Sequence, residues 1–338
     1  MQVFVYEFVT GGGLWAHADW GKPKGSLLEE GRAMVLAVAN DFAAIPNVDV
    51  VVMRDTRVTL PSIPYVQCES VGSAVAANAR FDELAAASDK TLIIAPEIDN
   101  LLATSCERVV QNAGELVGVD LDFVRLTSDK HETTRMLAAS GVPVPHSFLA
   151  PGPASITSTG PFVVKPRFGA GSSGVRVIQS ATDITKEESN TRHCIQEFVD
   201  GRAASVTVIR GARSHLILPP CWQSFSPDSF EYTGGSIIAD EHIAARARAL
   251  ARHVIDAFSN SYGYFGVDLI LGSSDDGRDD VVIEINPRLT TSYVGLRSAL
   301  SINLADVLLR VLADRTVELP TPNFTTRFEA NGTVAGGI

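Results

Sequence analysis

The chain has 338 residues, 45% hydrophobic and 20% charged, with a formal net charge of -11. Such a composition belongs to a globular protein large enough for two or three domains and excludes a disordered or low-complexity chain. The negative balance argues against nucleic acid or an anionic membrane as the main partner, since both call for surface cations. No apolar run approaches the roughly 18 residues of a membrane-spanning helix. Met1 to Thr10 carries Glu7 and no basic n-region, so cytoplasmic residence is the expectation. Cys68, Cys106, Cys194 and Cys221 are scattered, without zinc-like spacing to histidine, and read as idle thiols.

Gln2 to Phe8 alternates and runs into Gly11-Gly12-Gly13, the pattern of a first strand ending in a turn. Ser26 followed by Glu29 has the spacing of a capping box, and the apolar positions through Ile45 fit a helix. Asp49 to Met53 and Thr91 to Ala95 are short apolar strands of the kind buried in a parallel sheet, with helices expected over Ser73 to Ala87 and Asn100 to Ala113. The alternation describes an open α/β domain over residues 1–126. Thr127 to Ser140 reads as one helix, stopped by Gly141 and Pro143. The pattern then turns to β, with a loop at Pro151 to Pro161 and one short helix near Asp183 to Ser189. Beyond Phe198, strands are expected at Ala204 to Ile209, Leu216 to Leu218, Val267 to Leu271 and Val281 to Ile285, with helices at Glu241 to Ser259 and Ser298 to Ala313. The resulting division is 1–126, 127–200 and 201–338, an α/β unit followed by two α+β lobes.

Gly169-Ala170-Gly171-Ser172-Ser173-Gly174 matches the G-x-G-x-x-G string of dinucleotide-binding folds, but that motif works only when a helix leaves the glycines. Here Phe162 to Lys165 enters and Val175 to Ile178 leaves, both with strand character, so the element is a hairpin whose flexible turn exposes N–H groups that can cover phosphates. On the strand Val281 to Ile285, Glu284 and Asn286 point one way and Ile283 and Ile285 the other. A carboxylate beside an amide oxygen suits a hard cation such as Mg²⁺. Asp268, in an otherwise apolar strand, supplies a further carboxylate that cannot be buried without a partner.

The order Lys130, Lys165, glycine loop, Gln196-Glu197-Phe198-Val199-Asp200-Gly201, Asp268, then Glu284-x-Asn286 resembles the ATP-grasp superfamily of carboxylate-amine ligases, over essentially all of Lys130 to Arg297. The resemblance implies ATP held between two α+β lobes. Lys130 and Lys165 would contact phosphates, and Gly169, Gly171, Ser172, Ser173 and Gly174 would fold over them. The hinge Gln196, Glu197, Phe198 and Val199 would meet the adenine edge through its backbone. Asp268, Glu284 and Asn286 would hold two Mg²⁺ ions, with Mn²⁺ an acceptable substitute, and Arg288 and Lys165 would serve the reacting phosphoryl group. Many members carry a ribose-binding glutamate just past the hinge glycine, where this chain has Ala203 and Ala204; Asp200 is the available substitute.

The stretches EINPRLTTSYVGLR (284–297) and VYEFVTGGG (5–13) are similar to the tyramine-L-glutamate ligases of methanofuran biosynthesis. That resemblance implies an L-glutamate carboxylate activated by ATP, a tyramine amine as acceptor, and Arg288, Tyr293 and Arg297 in substrate binding. Tyr293 and Arg297, four apart, would share a helical face and read equally as packing residues. A dipeptide or D-alanine type ligase and an ATP-binding module without turnover are the alternatives, and a homodimer is compatible with any of them. Ser226 to Gly235 reads as a loop near the substrate.

Overall fold

The structure is a computed structural model that describes residues 1–149, 160–227, 229–259 and 261–336. The loop expected at Pro151 to Pro161 lies outside the described residues up to position 159.

Strands β1 (Gln2–Glu7), β2 (Asp49–Asp55), β3 (Val66–Val71) and β4 (Lys90–Ile94) form a parallel sheet in the order β3-β2-β1-β4. Period-two alternation divides β1 between two cores. Val3 and Val5 pack with Val35, Val38 and Phe42 of helix α1 (Gly25–Ala43). Phe4 and Tyr6 turn to the other face, where both meet Phe81 of α2 (Ala74–Ala87) edge-on at 5.6 and 4.7 Å; α3 (Leu101–Gln111) completes that layer. Strand β3 escapes sequence reading because it is an edge strand with mostly exposed side chains and no apolar run. The capping box expected at Ser26 and Glu29 is absent. The chain enters α1 through Gly25 at φ 73°, which makes Lys24 the cap residue and leaves Ser26 inside the helix.

The single helix expected over Thr127 to Ser140 is two, α4 (Leu121–Ser128) and α5 (Lys130–Ala139), so the boundary at 126 falls within α4. Asp129 makes the break: its carboxylate caps α5 at the N–H groups of His131 and Glu132 and also holds Arg167. An antiparallel sheet follows in the order β5-β8-β6-β7, from β5 (Ser147–Leu149), β6 (Phe162–Pro166), β7 (Arg176–Ile178) and β8 (His193–Glu197). The strand-glycine turn-strand reading is thereby borne out. The helix expected near Asp183 to Ser189 is replaced by turns after one 3-10 turn at Ala181–Asp183, because the Asp183 and Glu188 carboxylates take the backbone N–H groups of Ser180 and Thr185.

The last sheet holds β9 (Arg202–Arg210), β10 (His215–Ile217), β11 (Cys221–Phe225), β12 (Tyr232–Ile237), β13 (Gly263–Leu271), β14 (Val281–Asn286), β15 (Arg327–Glu329) and β16 (Val334–Ala335). Its order is β14-β13-β9-β11-β12-β15-β16 with β10 on β9, and helix α6 (Glu241–Ala257) packs on it through Ala247, Leu250 and Val254. The expected loop Ser226 to Gly235 runs into β12 from Tyr232 onward. The helix expected at Ser298 to Ala313 is α7 (Ser292–Leu300) and α8 (Leu304–Leu312), divided where Ser301 turns left-handed at φ 51° and Asn303 caps the N–H of Asp306. No described helix is long and apolar enough to cross a membrane.

Helix α1 joins the first and last parts of the chain. Its Asp41, 3% exposed, accepts bonds from Tyr293 Oη at 2.6 Å and Arg297 Nε at 3.0 Å, and its backbone oxygen accepts from Asn303 Nδ2 at 2.6 Å. Truncating this acid strands a guanidinium and a buried phenol together. Asp41→Ala is therefore expected to lower stability by about 3 kcal/mol in urea unfolding, and a loss under about 1 kcal/mol would show that the network does not hold α1 in place.

Candidate active site

A cavity of about 1240 Å³ opens between the two antiparallel sheets, with α1 along one side. That exceeds the several hundred Å³ of an ordinary small-molecule site and leaves room for a nucleotide and more. Register sets the first wall. Val163 faces Gln196 and Lys165 faces Cys194 across β6 and β8, so Val163, Lys165 and Gln196 lie on one face and line the cavity. Lys165 is 5% exposed, and among the described residues its ammonium has no ion pair or hydrogen bond. Burial pulls its pKa down, against the pull of the Glu284 charge. Gln196 is also buried, with Nε2 lacking a partner among the described residues.

The hairpin turn completes this wall. Gly171 and Gly174 have φ 63° and 72°, and a Cβ on Gly171 would stand 3.2 Å from Leu27 Cδ2, so the turn reaches α1. Gly169, Ser172 and Ser173 line the cavity with them. At the hinge, Glu197 N–H donates to His146 O at 2.9 Å and Phe198 N–H to Pro161 O at 3.0 Å, so those two donors are taken by the chain itself. Glu197, Phe198 and Val199 line the cavity, whereas Asp200 is exposed and lies outside the lining. Ala203 lines the wall without a carboxylate and Ala204 is core, while Arg202 stacks over Trp222 at 3.8 Å.

The facing wall brings the acid-amide trio together. Asp268 pairs across the ladder with Glu284, and its Oδ2 accepts from Asn286 Nδ2 at 2.9 Å while Oδ1 accepts from Gln223 Nε2 at 3.0 Å. Leu269 then pairs with Val282, so Ile283 is the extra residue of a β-bulge. Ile283 was expected in the core; the bulge turns it into the cavity beside Glu284. Lys130, at the first turn of α5, meets Glu284 Oε2 at 3.0 Å.

The charges in this pocket are tightly coupled. Burial pushes Asp268 up to about 7, with the Glu284 charge adding to the effect and Asn286 and Lys130 opposing it. Burial acts the same way on Glu284, yet Lys130 and Lys165 outweigh it and hold that carboxyl below its usual range. Lys130 is the mirror image: burial would lower it, and Glu284 and Glu97 hold it above. Two carboxylates and an amide oxygen on one face, with a lysine supplying counter-charge, fit a hard divalent cation. The described residues contain no group of three His, Cys, Asp or Glu with metal-holding geometry.

Arg288 follows this strand and lines the cavity, its Nε and Nη2 on Glu97 at 3.0 and 3.2 Å. Tyr293 and Arg297 do not join it. Both were expected to contact substrate; instead they lie outside the cavity lining and bind Asp41. Sequence reasoning missed Glu97, Gln223 and Glu30. Glu97 was findable, since it lies just past the carboxyl end of β4, where parallel sheets place their ligands. Glu30, whose Oε2 accepts from Thr291 Oγ1 at 2.9 Å, carries no such signal.

The comparisons with known proteins agree with this geometry. An ATP-grasp domain family matches residues 127–292 and a pre ATP-grasp 3 domain family matches residues 48–122. The chain is 24% identical over 287 residues to a tyramine--L-glutamate ligase of Methanocaldococcus fervens, covering 84% of this chain and 87% of that one. It is 33% identical over 116 residues to the enzyme of the same name from Methanocaldococcus jannaschii, covering 34% of this chain and 35% of that one. The crystal structure of an ATP-grasp superfamily protein from Archaeoglobus fulgidus superposes with a TM-score of 0.72 at 24% identity, covering 96% of this chain and 90% of that one. The matching domain families and the ligase relatives support a ligase that forms carbon-nitrogen bonds. The chain belongs to the ATP-grasp superfamily.

Behind Arg288 lies Glu7, 3% exposed, which accepts from Val9 N–H at 3.1 Å and Thr10 N–H at 2.6 Å. Burial pushes its carboxyl from 4.5 up to about 7, against those N–H bonds and Arg288. The folded chain thus keeps this proton to higher pH than the unfolded chain does. Stability from Glu7 is present at low pH and lost as pH rises from the ordinary carboxylate range through about 7. Between pH 5 and pH 8, wild type is expected to lose about 2 kcal/mol more than Glu7→Gln in urea unfolding, and equal losses would remove Glu7 as the proton's holder.

Proposed function

We propose that the protein joins a carboxylic acid to an amine at the expense of ATP, by way of an acyl phosphate, with release of ADP and phosphate. The observation that carries this reading is Lys165, a buried cation without a partner among the described residues, opposite a carboxylate-amide trio and beneath a glycine hairpin. An unpaired buried ammonium is costly, and a phosphate oxygen is the anion that offsets it. Lys130 would share the phosphates, and Asp268, Glu284 and Asn286 would hold Mg²⁺, which when bound neutralises phosphate charge.

The chemistry assigned to the chain is positioning and charge stabilisation. A carboxylate is a poor electrophile in water; attack of its oxygen on the γ-phosphorus makes an acyl phosphate, and an amine then displaces phosphate to leave an amide. Lys165 and the hairpin N–H groups hold the transferring group in line. Arg288, fixed by Glu97, presents its remaining donor edge to the acid or phosphoryl oxygens. The hairpin resting on α1 keeps water from the acyl phosphate. For substrates, the similarity to tyramine--L-glutamate ligases over most of both chains favours the side-chain carboxylate of L-glutamate and tyramine, a step of methanofuran-type cofactor assembly. The four unpaired cysteines accord with a cytoplasmic setting.

ADP release with Mg-ATP is expected to require both L-glutamate and an aromatic amine, with the tyramine amide identified by product mass. Absence of acceptor-dependent ADP across a panel of acids and amines would overturn the ligase reading. Lys165→Ala is expected to weaken ATP binding about 10- to 100-fold by calorimetry, through loss of a charge-assisted contact. Asn286→Ala should instead lower kcat about 10- to 100-fold with ATP affinity within about threefold. Unaltered ATP affinity in the lysine variant would take Lys165 out of the site.

A further inference from the structure

One end of the cavity lies beyond the trio. It is bounded by Glu30 of α1 and by the β11-β12 hairpin, which supplies Phe225, Phe230, Glu231 and Tyr232. Phe225 and Tyr232 oppose each other in the ladder with ring centroids 6.1 Å apart. Phe225 is two residues from Gln223, the residue bonded to Asp268, so this aromatic wall starts roughly 7 Å along the same strand face from the trio. Among the described residues the Tyr232 hydroxyl has no hydrogen bond, although the side chain is largely buried; its neighbours in charge include both Glu30 and Asp268. Glu30 has one oxygen on Thr291 and no ion pair among the described residues, and Glu231 stands exposed at the rim.

A carboxylate facing an aromatic wall repels an acid substrate and suits a cation attached to a ring, since an ammonium gains from the carboxylate and from the π-face together. Arg288 is close enough to matter to Glu30 but forms its ion pair with Glu97, and Glu30, without an ion pair among the described residues, can take a ligand's charge. Burial raises the Glu30 carboxyl above its usual range, Glu231 adding to this and Thr291 and Arg288 opposing, which suits a group that must accept a proton.

We infer that this end of the cavity is the acceptor subsite, binding a primary ammonium joined to an aromatic ring, and that Glu30 takes the ammonium's proton as the amine attacks. The inference rests on the ligase reading above. One N–H proton passes to the Glu30 carboxylate, the nitrogen lone pair forms the C–N bond, and the C–O bond to phosphate breaks with its electron pair leaving on phosphate. The second nitrogen proton passes to the departing phosphate as the tetrahedral intermediate collapses to the neutral amide.

The test is steady-state kinetics of wild type, Glu30→Gln and Glu231→Gln, with tyramine, L-glutamate and Mg-ATP each varied, together with calorimetric binding of tyramine and its uncharged analogue 4-ethylphenol. Glutamine keeps the shape of Glu30 and its bond to Thr291, so the fold is retained. Expected for Glu30→Gln is a KM for tyramine raised about 10- to 100-fold, with a lowered kcat, and KM values for ATP and glutamate within about twofold of wild type. Glu231→Gln should raise the amine KM less, and Glu30→Asp should recover part of the activity. An unchanged amine KM, or a rise confined to the glutamate KM, overturns the inference while leaving the ligase reading standing. Should wild type turn over no amine, the ligase reading fails and binding decides alone: tyramine bound tenfold or more tighter than 4-ethylphenol, with the difference lost in Glu30→Gln, supports the subsite, and equal binding of the two overturns it.

Discussion

A lysine ammonium buried in the wall of a cleft beside a second lysine is the constraint around which this molecule is organised. Lys130 is neutralised at once by Glu284, whereas Lys165 is left with only distant carboxylates to steady it. In a low-dielectric cleft such an arrangement is expensive in isolation and favourable once an anion arrives. The elements around the cleft serve that imbalance. Asp129 ends α4, caps α5 and so fixes where Lys130 projects, and the register of β6 on β8 fixes Lys165. The acid-amide trio on β13 and β14 then answers the lysines from the opposite sheet.

The first domain is a working part of this site. Its parallel sheet ends at Glu97, which orients Arg288, and its helix α1 brings Glu30 to the cavity while burying Asp41 against α7 and α8. The hydrophobic layer behind α1 continues from Val3 and Val5 through Phe42 to Leu296 and Leu308. One continuous core therefore spans the beginning and the end of the chain, and the site's two halves are held by packing as much as by charge.

What the sequence disclosed and what it withheld divide along physical lines. Buried strands with uniform apolar runs, such as Asp49–Asp55 and Lys90–Ile94, announced themselves, and so did the hairpin around Gly169 to Gly174 and the two-residue spacing of Glu284 and Asn286. Edge strand β3 and the bulge at Ile283 did not, because a strand's exposure and a ladder's slippage are settled by partners distant in sequence. The breaks at Asp129 and Ser301 were hidden inside continuous helical patterns, where a single cap residue decides. Tyr293 and Arg297 shared a helical face as their spacing required, but that face turned to Asp41, 252 and 256 residues away in sequence, rather than to the cavity.

The contact between the glycine hairpin and Leu27 links two events that a list of binding residues would keep separate. Leu27 and Glu30 are one turn apart on α1, so the glycine hairpin rests on the same helical surface that frames the far end of the cavity. Any displacement of the hairpin would therefore be felt along the helix that carries Glu30, so the two ends of the cavity share one mechanical support.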